Sequence, residues 1–372
     1  MVDTLQVMVV DLMTVLIVVG TRPQIIKSVP VIHEALKQGL AMQIIHTGQH
    51  YDPALSEVFF NELSLPEPLA NLNVGSGSHV FQTAEIMIRL EKYLITEKPS
   101  LVLIPGDTNS ALAGTLATVK LGIPVAHLES GARSYDMKMA EEINRRLIDH
   151  SAKILFAPTN NCKANLEHES VTGKIYQVGD TMYDVFVKFK QKADKSDIIN
   201  KLDLEKKEYA ILTTHRAENV DDPAKLKKML LAMENAEMPI IFPIHPRTRN
   251  RLKENGISLS DANIRPIDPV GYIEMLALLK NAKIAITDSG GLQKEAFWSN
   301  TPCITIRDRT EWTETVDLGV NFVTDVDPTR IAQALEQIRN NYSEIKNKFK
   351  SNPYGEGNAS EKIVKILKAE LP

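Results

Sequence analysis

Short apolar segments alternate with longer segments of helical periodicity along most of the chain. In the first half, apolar runs stand at 15–19, 43–46, 101–104, 124–127 and 154–157. The second half repeats the pattern at 209–213, 239–242, 283–287, 303–306 and 321–323. Such runs, bounded by turn residues, predict buried strands.

Segments with apolar residues at helical spacing lie between and after these runs. They predict helices at 110–121, 141–151, 224–235, 271–280, 291–299, 328–340 and 360–370. In the segment 141–151, Ile143, Leu147 and Ile148 share one apolar face. Strands that are apolar throughout, with helices between them, predict an α/β fold with parallel sheets covered by helices on both faces.

The alternation changes character once, at the sequence Val-Gly-Asp-Thr of 178–181, which a lysine-rich polar stretch at 188–207 follows. We therefore expect an N-terminal domain at 1–181 and a C-terminal domain at 182–355. The last segment, 356–372, is expected to form a helix that packs back on the N-terminal domain.

Two strand-to-helix junctions contain glycine turns, one in each half. The sequence Thr-Asp-Ser-Gly-Gly follows the strand at 283–287, and Gly-Thr-Arg-Pro follows the strand at 15–19. Free backbone N–H groups and the positive end of a helix dipole suit a diphosphate. Neither turn has the spacing of a P-loop or of a dinucleotide site, so each alone is also compatible with an ordinary turn. Together they favour a nucleotide held between two lobes.

Composition narrows the class of protein. The chain has 372 residues and a net charge of -4, which gives no basic face for nucleic acid. Its two cysteines, Cys162 and Cys303, are far apart, so a reducing, cytoplasmic location is expected. Near the N-terminus no apolar run is long enough to cross a membrane. Residues 1–12 precede a natural strand start, and we expect translation to begin at Met13.

Ionisable residues cluster where predicted strands end. Asp107, Glu129, His215 and His245 each follow a strand, and Glu141 begins a helix. Because ligands of parallel sheets bind outside the carboxyl ends of the strands, these groups are expected to converge on one cleft. Helix capping or ordinary hydrogen bonding could explain each of them singly. As a cluster, like charges would separate the carboxyl pKa values and give an acid and a base.

Basic residues accompany the acidic ones. Arg22, Lys27, Arg133, Arg216 and Arg247 follow strand ends or lie in the first helix, where they could neutralise a diphosphate without a metal. Each could also be a solvated surface charge. The chain lacks the motifs that mark zinc or other metal sites. We therefore expect no metal and no cofactor.

The order and spacing of seven segments resemble the non-hydrolysing UDP-N-acetylglucosamine 2-epimerases, over nearly the whole chain from Met13. These segments are Gly-Thr-Arg-Pro at 20–23, Thr-Gly-Gln-His at 47–50, Pro-Gly-Asp-Thr at 105–108, the stretch 127–134, Glu-Glu-Ile-Asn-Arg at 141–145, the stretch 214–219 and the stretch 287–295. The resemblance implies two Rossmann-like domains facing a deep cleft, as in B-type glycosyltransferases.

The resemblance also implies a reaction. The family interconverts UDP-N-acetylglucosamine and UDP-N-acetylmannosamine by anti-elimination of UDP to a 2-acetamidoglucal, followed by re-addition, and serves polysaccharide biosynthesis. By the same resemblance, Asp107, Glu129 and Glu141 take acid/base positions in the N-terminal domain, and His215 assists the departure of UDP. The C-terminal domain would bind UDP, and a homodimer is the family expectation. Positions expected to contact substrate are Arg22, Lys27, Gln49, Arg133, Glu142, His245, Tyr272, Met275, Ser289, Gly290, Gly291 and Glu295.

The chain departs from the family pattern at several positions. Gln24 replaces a glutamate in the first turn, and Ala140 replaces a proline before the glutamate pair. Met275 stands where an aromatic residue is expected near the uracil, and Trp312 and Thr313 replace Arg-Pro. Glu141 is favoured over Glu142 as the acid/base residue. A hydrolase that releases N-acetylmannosamine and UDP, and a binding protein without turnover, stay open as alternatives.

Overall fold

The computed structural model describes residues 14–49, 63–233, 236–257, 259 and 263–371. The expected start at Met13 and the motif residue His50 therefore lie outside the described residues. The chain forms two compact units. The first unit, called the N-unit here, comprises the chain up to Val185 together with the segment from Tyr354 onward. The second, the C-unit, comprises Phe186–Pro353. The change of unit falls inside a helix, Thr181–Asp194, that occupies part of the lysine-rich stretch.

The N-unit contains a seven-stranded sheet in which every pairing is parallel. The strand order is β3-β2-β1-β4-β5-β6-β7, so the direction of winding reverses between β1 and β4. That order is the doubly wound one, in which right-handed crossovers put helices on both faces. The strands are β1 (Thr14–Val19), β2 (Ala41–His46), β3 (Ala70–Asn71), β4 (Leu101–Pro105), β5 (Val125–Leu128), β6 (Ile154–Ala157) and β7 (Lys174–Gln177).

In the described part of this unit, six helices connect or follow these strands. They are α1 (Arg22–Lys37), α2 (His79–Glu97), α3 (Asn109–Lys120), α4 (Ala140–Ser151), α5 (Asn160–His168) and α6 (Thr181–Asp194). The final helix of the chain, Ala359–Glu370, also belongs to this unit, and its Ile363 and Leu367 lie in the same core as Val29 of α1. Asp184 of α6 accepts hydrogen bonds from the backbone N–H groups of Ala359 and Ser360, which begin the final helix.

The C-unit repeats the architecture with six parallel strands in the order β10-β9-β8-β11-β12-β13. The strands are β8 (Ala210–Thr213), β9 (Ile240–Pro243), β10 (Ile264–Ile267), β11 (Ile284–Thr287), β12 (Cys303–Thr305) and β13 (Asn321–Val323). The helices are α7 (Ile198–Lys201), α8 (Ala217–Val220), α9 (Pro223–Met233), α10 (Pro246–Glu254), α11 (Tyr272–Asn281), α12 (Gly290–Trp298), α13 (Thr313–Asp317), α14 (Pro328–Asn340) and α15 (Tyr342–Asn347); the helix Ala359–Glu370 is α16.

The ten strands expected from apolar runs are confirmed to within two residues. Three strands that the pattern did not indicate, β3, β7 and β10, lie at sheet edges. The α/β class with parallel sheets is confirmed as well. No helix among the described residues is apolar over enough of its length to cross a membrane.

The orientation of α4 is unusual. Of its apolar face, Ile148 is buried, whereas Ile143 and Leu147 are 39% and 45% exposed. The opposite side of the helix buries charged residues, among them Glu142 and Asp149, neither of which has exposed surface. Burying charge is unfavourable unless each group has partners, so this face of α4 needs a set of ion pairs.

Candidate active site

The turn after β4 places Asp107. Gly106 has a φ of +69°, a conformation that glycine adopts without strain, and Thr108 caps α3 through its hydroxyl. Asp107 is therefore not the helix cap. Its Oδ2 accepts hydrogen bonds from Nε and Nη2 of Arg145, at 2.9 and 2.8 Å. The side chain of Asn144 donates to the Asp107 carbonyl oxygen at 2.8 Å, so α4 holds both ends of this residue.

Glu129 follows β5 with a left-handed backbone, at a φ of 67°. Its carboxylate forms a salt bridge with the ammonium group of Lys27 on α1, and both side chains are largely buried. A Cβ on Gly106 would lie 3.0 Å from the Lys27 Nζ atom. Lys27 therefore lies directly against the turn that carries Asp107, which brings the Asp107 and Glu129 turns to one place in the N-unit.

Gln24 connects the first glycine turn to the Asp107 turn. Its Oε1 accepts a hydrogen bond from the Gly20 N–H at 2.9 Å, and its Nε2 donates to the Pro105 carbonyl at 2.7 Å. A glutamate could not donate to that carbonyl when ionised. Gln24, the residue that replaces the glutamate, thus connects the end of β1 to the end of β4. Arg22, the first residue of α1, is exposed.

The two adjacent glutamates of α4 have opposite environments. Glu142 is fully buried, and its carboxylate accepts hydrogen bonds from Ser134 at 2.8 and 3.1 Å, from Arg145 at 3.0 Å and from Arg146 at 3.3 Å. Glu141 is half-buried, and no hydrogen bond or ion pair joins its carboxylate to any residue that the structure describes. Glu142 is occupied by the protein itself, and Glu141 is available.

Two residues expected to contact substrate are occupied in the same way. Arg133 is 2% exposed and binds the carboxylates of Asp149 and Glu169. Burial lowers the pKa of Arg133, but these two carboxylates outweigh it and raise that pKa. Gln49 is 7% exposed, and its Oε1 accepts from the N–H and hydroxyl of Ser110 at the start of α3. In this structure the side chains of Arg133 and Gln49 are therefore bound by other protein groups.

The carboxylates have cationic partners that the sequence expectation did not include. Neighbouring like charges were expected to set the acid and the base. The contacts pair Asp107 with Arg145, which also binds Glu142, and pair Glu129 with Lys27. The expectation considered acidic strand ends only, while both cations come from helices, 38 and 102 residues away in sequence. The separation of the carboxyl pKa values stays a prediction.

In the C-unit, one buried carboxylate organises two strand ends. Asp288 follows β11 and has no exposed surface. It accepts hydrogen bonds from the Thr214 hydroxyl at 2.8 Å, from the backbone N–H groups of His215 and Arg216 at 3.1 and 3.0 Å, and from the Asn219 side chain at 3.2 Å. The turn after β8 is therefore fixed against the turn after β11.

The two histidines of the C-unit lie together. The ring centroids of His215 and His245 are 5.8 Å apart, and His215 Nδ1 is 3.6 Å from the Asp288 carboxylate. His245 Nδ1 accepts from the Arg247 N–H and so caps α10. Burial, followed by the charges of His215 and Arg247, lowers the pKa of His245. This ring is consequently neutral near pH 7.

The glycine turn after Asp288 opens α12, as the sequence indicated. The Ser289 hydroxyl caps the helix, Gly290 and Gly291 are half-buried, and Glu295 is 7% exposed. Trp312 packs on this first turn, because a Cβ on Gly290 would lie 3.3 Å from the indole Nε1. The same indole stacks on the buried Lys294 ammonium, 3.8 Å from the ring centroid. The helix start thus has the donors and dipole that favour an anion.

Tyr272 and Met275 lie on the first turns of α11, and both are half-buried. Tyr272 packs edge-on against Phe189, with ring centroids 5.9 Å apart. In the N-unit, Asp107 and Glu129 are brought together through Lys27, and in the C-unit His215 lies against Asp288. Their convergence in one cleft, and the role of each residue, stay predictions.

Sequence reasoning did not select Arg145, Asn144 or Asp149, although they stand on the same helix as the glutamate pair. The signal available was their position, because residues 145 and 149 share a face with Glu142 at helical spacing and residue 144 is one turn from Glu141. Within the described ranges, no three His, Cys, Asp or Glu side chains are grouped to hold a metal ion. Both cysteines are buried, and neither forms a disulfide among the described residues.

Comparison with known proteins identifies the family. Residues 34–368 match the family described as UDP-N-acetylglucosamine 2-epimerase. A UDP-N-acetylglucosamine 2-epimerase homolog of Methanococcus maripaludis is 45% identical over 362 residues, 96% of this chain and 99% of the relative. A UDP-2,3-diacetamido-2,3-dideoxy-D-glucuronate 2-epimerase of Pseudomonas aeruginosa is 40% identical over 95% of this chain and 99% of its own.

Solved structures agree. The crystal structure of Methanocaldococcus jannaschii UDP-GlcNAc 2-epimerase in complex with UDP-GlcNAc and UDP superposes with a TM-score of 0.88, at 43% identity, over 96% of this chain and 100% of that one. The match extends over nearly the full length in sequence and in fold. The chain therefore belongs to the UDP-N-acetylglucosamine 2-epimerase family.

Proposed function

We propose that the protein is a non-hydrolysing UDP-sugar 2-epimerase that interconverts UDP-N-acetylglucosamine and UDP-N-acetylmannosamine. The observation that supports it most is the arrangement of carboxylates in the N-unit. Asp107 and Glu129 are each held by a cation, and Glu141, on the helix that holds Asp107, has no partner among the described residues. A reaction that removes a proton on one face of a sugar and returns it on the other needs such a set of groups.

The chemistry determines what these groups do. In the forward step the C2–H and C1–O bonds break, a C1–C2 double bond forms, and UDP leaves with the electron pair of the C1–O bond. The C2 proton is barely acidic until C1 gains oxocarbenium character, so a base must act while the diphosphate leaves. UDP then adds back to C1 while a carboxylic acid protonates C2 from the opposite face. Asp107, Glu129 and Glu141 are the proposed acid and base groups.

The C-unit supports the leaving group in this proposal. The capped start of α12 offers N–H groups to a diphosphate, and Glu295 on the same helix is proposed to bind the ribose hydroxyls. His215, fixed through Asp288, is proposed to stabilise UDP as it departs. Donors that are fixed in advance stabilise developing charge without reorganising.

Two sugars deserve testing, since relatives of this chain carry different names. The Methanocaldococcus jannaschii relative, 44% identical, is a UDP-N-acetylglucosamine 2-epimerase, and the Pseudomonas aeruginosa relative acts on a diacetamido glucuronate. Both sugars have UDP on C1 and an acetamido group on C2. The reacting atoms are therefore the same, and only groups at C3 and C5 differ.

The decisive experiment is proton NMR of the protein with each UDP-sugar in D2O. The proposal expects deuterium at C2 and the appearance of the manno sugar nucleotide, with UDP-N-acetylglucosamine reacting faster. Free N-acetylmannosamine with UDP would instead indicate a hydrolase, and saturable binding with an unchanged spectrum would indicate a binding protein. Either of these outcomes overturns the proposal.

Asp107→Asn serves as the diagnostic variant. It should abolish deuterium uptake while UDP still binds in calorimetry. Asp268→Asn is the matched control, because that carboxylate is 86% exposed and pairs with Arg249 on the surface of the C-unit. If Asp107→Asn exchanged C2 hydrogen at the normal rate, that residue would have no acid/base role.

A homodimer is also part of the proposal. Val80 and Ile88 of α2 are 80% and 66% exposed, and Ile143 and Leu147 of α4 extend the apolar surface of the N-unit. Monomers rarely leave contiguous apolar surface uncovered, which supports a second copy on this face. Light scattering should give twice the 41.5 kDa chain mass, and Ile88→Lys with Leu147→Lys should give monomers. A monomeric unmodified protein would contradict this assignment.

A further inference from the structure

His127 is fully buried between the two catalytic turns and makes two hydrogen bonds. Its Nδ1 is 2.7 Å from Oδ1 of Asp149, and its Nε2 is 2.8 Å from the carbonyl oxygen of Gly106. A carbonyl oxygen only accepts, so Nε2 carries a proton. A carboxylate also only accepts, so Nδ1 carries one as long as Asp149 is ionised. The partners on both sides therefore require a doubly protonated ring.

The surroundings of Asp149 favour its ionised form. Its other oxygen, Oδ2, is 2.8 Å from the Arg133 guanidinium and accepts from the Gly131 N–H at 3.0 Å. Burial would raise the pKa of Asp149, but His127 and Arg133 outweigh it and hold that pKa below its usual range. A guanidinium keeps its charge at any relevant pH. Asp149 is thus a carboxylate with a cation on each side.

Beyond Asp149, a series of ion pairs alternates between cationic and anionic side chains. Arg133 binds Glu169 through Nε and Nη2, at 2.9 and 2.8 Å, and Glu169 lies 3.6 Å from Arg146. His150, half exposed on the surface, touches the outer edge of Glu169 at 3.4 Å. Arg146 also binds Glu142, Glu142 binds Arg145, and Arg145 binds Asp107. With His127 charged, every anion in this series has a cation on at least one side and the series is neutral.

We propose that His127 is an imidazolium that, with Asp149, braces the Asp107 turn against the Glu129 turn. His127 stands two residues before Glu129, and its Nε2–H holds the residue before Asp107. Asp149 is on α4, the helix that bears Glu141, and it also holds the Gly131 N–H beyond Glu129. One ion pair thus connects the three segments that bear the proposed acid and base groups. His127 and Asp149 are positioning residues, since neither is exposed.

The expected effect on kcat rests on the proposed function, whereas the charge of His127 does not. Asp149→Asn removes the charge that keeps the ring doubly protonated, while Arg133 keeps Glu169 as its partner. The ring can then bind the introduced amide as a neutral imidazole. Loss of the brace should lower kcat by about 100-fold, the effect of a displacement of about 1 Å at reacting groups. KM should change little, because the residues proposed to bind UDP are in the C-unit.

The charge state itself is measured without substrate. In ¹⁵N-histidine-labelled full-length protein, long-range proton–nitrogen spectra show which ring nitrogens carry protons, and His127→Gln assigns the signals. At about pH 7.5, above the ordinary histidine pKa of about 6.5, both nitrogens of His127 should be protonated. In Asp149→Asn only one should be. His150→Gln is the matched control, which should leave the His127 signals and kcat unchanged.

The outcomes are distinct. A neutral His127 ring in the unmodified protein overturns the proposal, as does an Asp149→Asn variant that is folded and keeps its kcat. If Asp149→Asn does not fold, hydrogen exchange of the 106–108 turn in His127→Gln decides, since the brace requires faster exchange there. If the unmodified protein turns over neither UDP-sugar, the proposed function fails, and the ring protonation with the exchange of that turn still decides the brace.

Discussion

Glu141 and Glu142 offer a test in which adjacent, chemically identical residues should fail in different ways. Each is replaced by glutamine, which has nearly the same shape and no charge. Glu141 is half-buried with no partner among the described residues, and Glu142 accepts four hydrogen bonds from Ser134, Arg145 and Arg146. If Glu141 is an acid/base group, its replacement should abolish turnover and spare the fold. Replacement of Glu142 should weaken the fold first.

The sizes of the two effects follow from these contacts. Removing one partner of a buried ion pair costs about 3–5 kcal/mol. We expect about 3 kcal/mol for Glu142→Gln, at the low end, because Arg145 keeps Asp107 and Arg146 keeps Glu169 as partners. A change at a partly exposed position without partners, such as Glu141→Gln, stays within about 0.5 kcal/mol. Loss of a general acid or base lowers the rate by about 10²–10⁴-fold.

The stability assay must report on the N-unit alone. The chain has two tryptophans, Trp298 and Trp312, and both are in the C-unit. Tryptophan fluorescence in urea therefore follows the C-unit and should be the same in both variants. Hydrogen exchange of α4 peptides, measured at increasing urea, gives the free energy of opening of the N-unit. C2 deuterium uptake from D2O gives the activity.

Two results would refute the reasoning. One is a Glu141→Gln variant that takes up deuterium within threefold of the unmodified rate (a change of under about 1 kcal/mol in the barrier). The other is a Glu142→Gln variant with unaltered α4 protection and a lost reaction, which would exchange the roles of the two residues.

Three further perturbations should change the stability of the protein or its affinity for UDP by amounts that follow from the structure. Burial lowers the pKa of His46 to about 4, so urea titrations should show a loss of about 3 kcal/mol between pH 6.5 and 4, which His46→Asn should remove. Gly131→Ala puts a Cβ 2.1 Å from the Cys162 carbonyl oxygen and should lower the free energy of unfolding by about 3 kcal/mol. Gly39→Ala is the control, because Gly39 has the same left-handed backbone with open space around it, and it should cost about 1–2 kcal/mol. Thermal melts of the two variants give the comparison. Asp288→Asn leaves buried donors unsatisfied and should weaken UDP binding in calorimetry by about tenfold; unchanged affinity would argue against the proposed UDP site.

The strands were predictable where both faces are buried. In β1 and β4 every residue but Thr14 is buried, so the sequence shows an uninterrupted apolar run. The edge strands differ. In β7 the residues Lys174 and Gln177 are exposed, and in β10 Arg265 and Pro266 are exposed. An edge strand has one neighbour and a solvent side, so its sequence need not be apolar, and no run marks it.

Helix periodicity located α4 but not its orientation. Ile143 and Leu147 indicated an apolar face, yet they are exposed and the charged face is inside. Periodicity measures the separation of polar and apolar residues around a helix and is the same for either orientation. The choice depends on partners far away in sequence, such as His127 for Asp149, which a single segment does not contain.

The candidate site shows the same division. Asp107 and Glu129 were identifiable because they follow apolar strands, but the cations that neutralise them come from α4 and α1. Gln24 was visible as a replacement, and only its hydrogen bonds to Gly20 and Pro105 explain it. Chain topology brings strand ends together, so it predicts which acids meet, whereas the pairing of each acid depends on side-chain reach and helix rotation.

The contacts that orient the acids also make the N-unit sensitive to acid, in a window separate from that of His46. The Arg133 hydrogen bonds lower the pKa of Glu169, and the cations around Asp149 lower its pKa against the effect of burial. A lowered carboxyl pKa adds stability above the unfolded value of about 4, and that stability is lost as the pH falls below it. His46 acts earlier, since a lowered histidine pKa removes stability from about pH 6.5 downward. Acid unfolding should therefore proceed in two stages. His46→Asn should remove only the first stage, because the second depends on the carboxylates of Asp149 and Glu169.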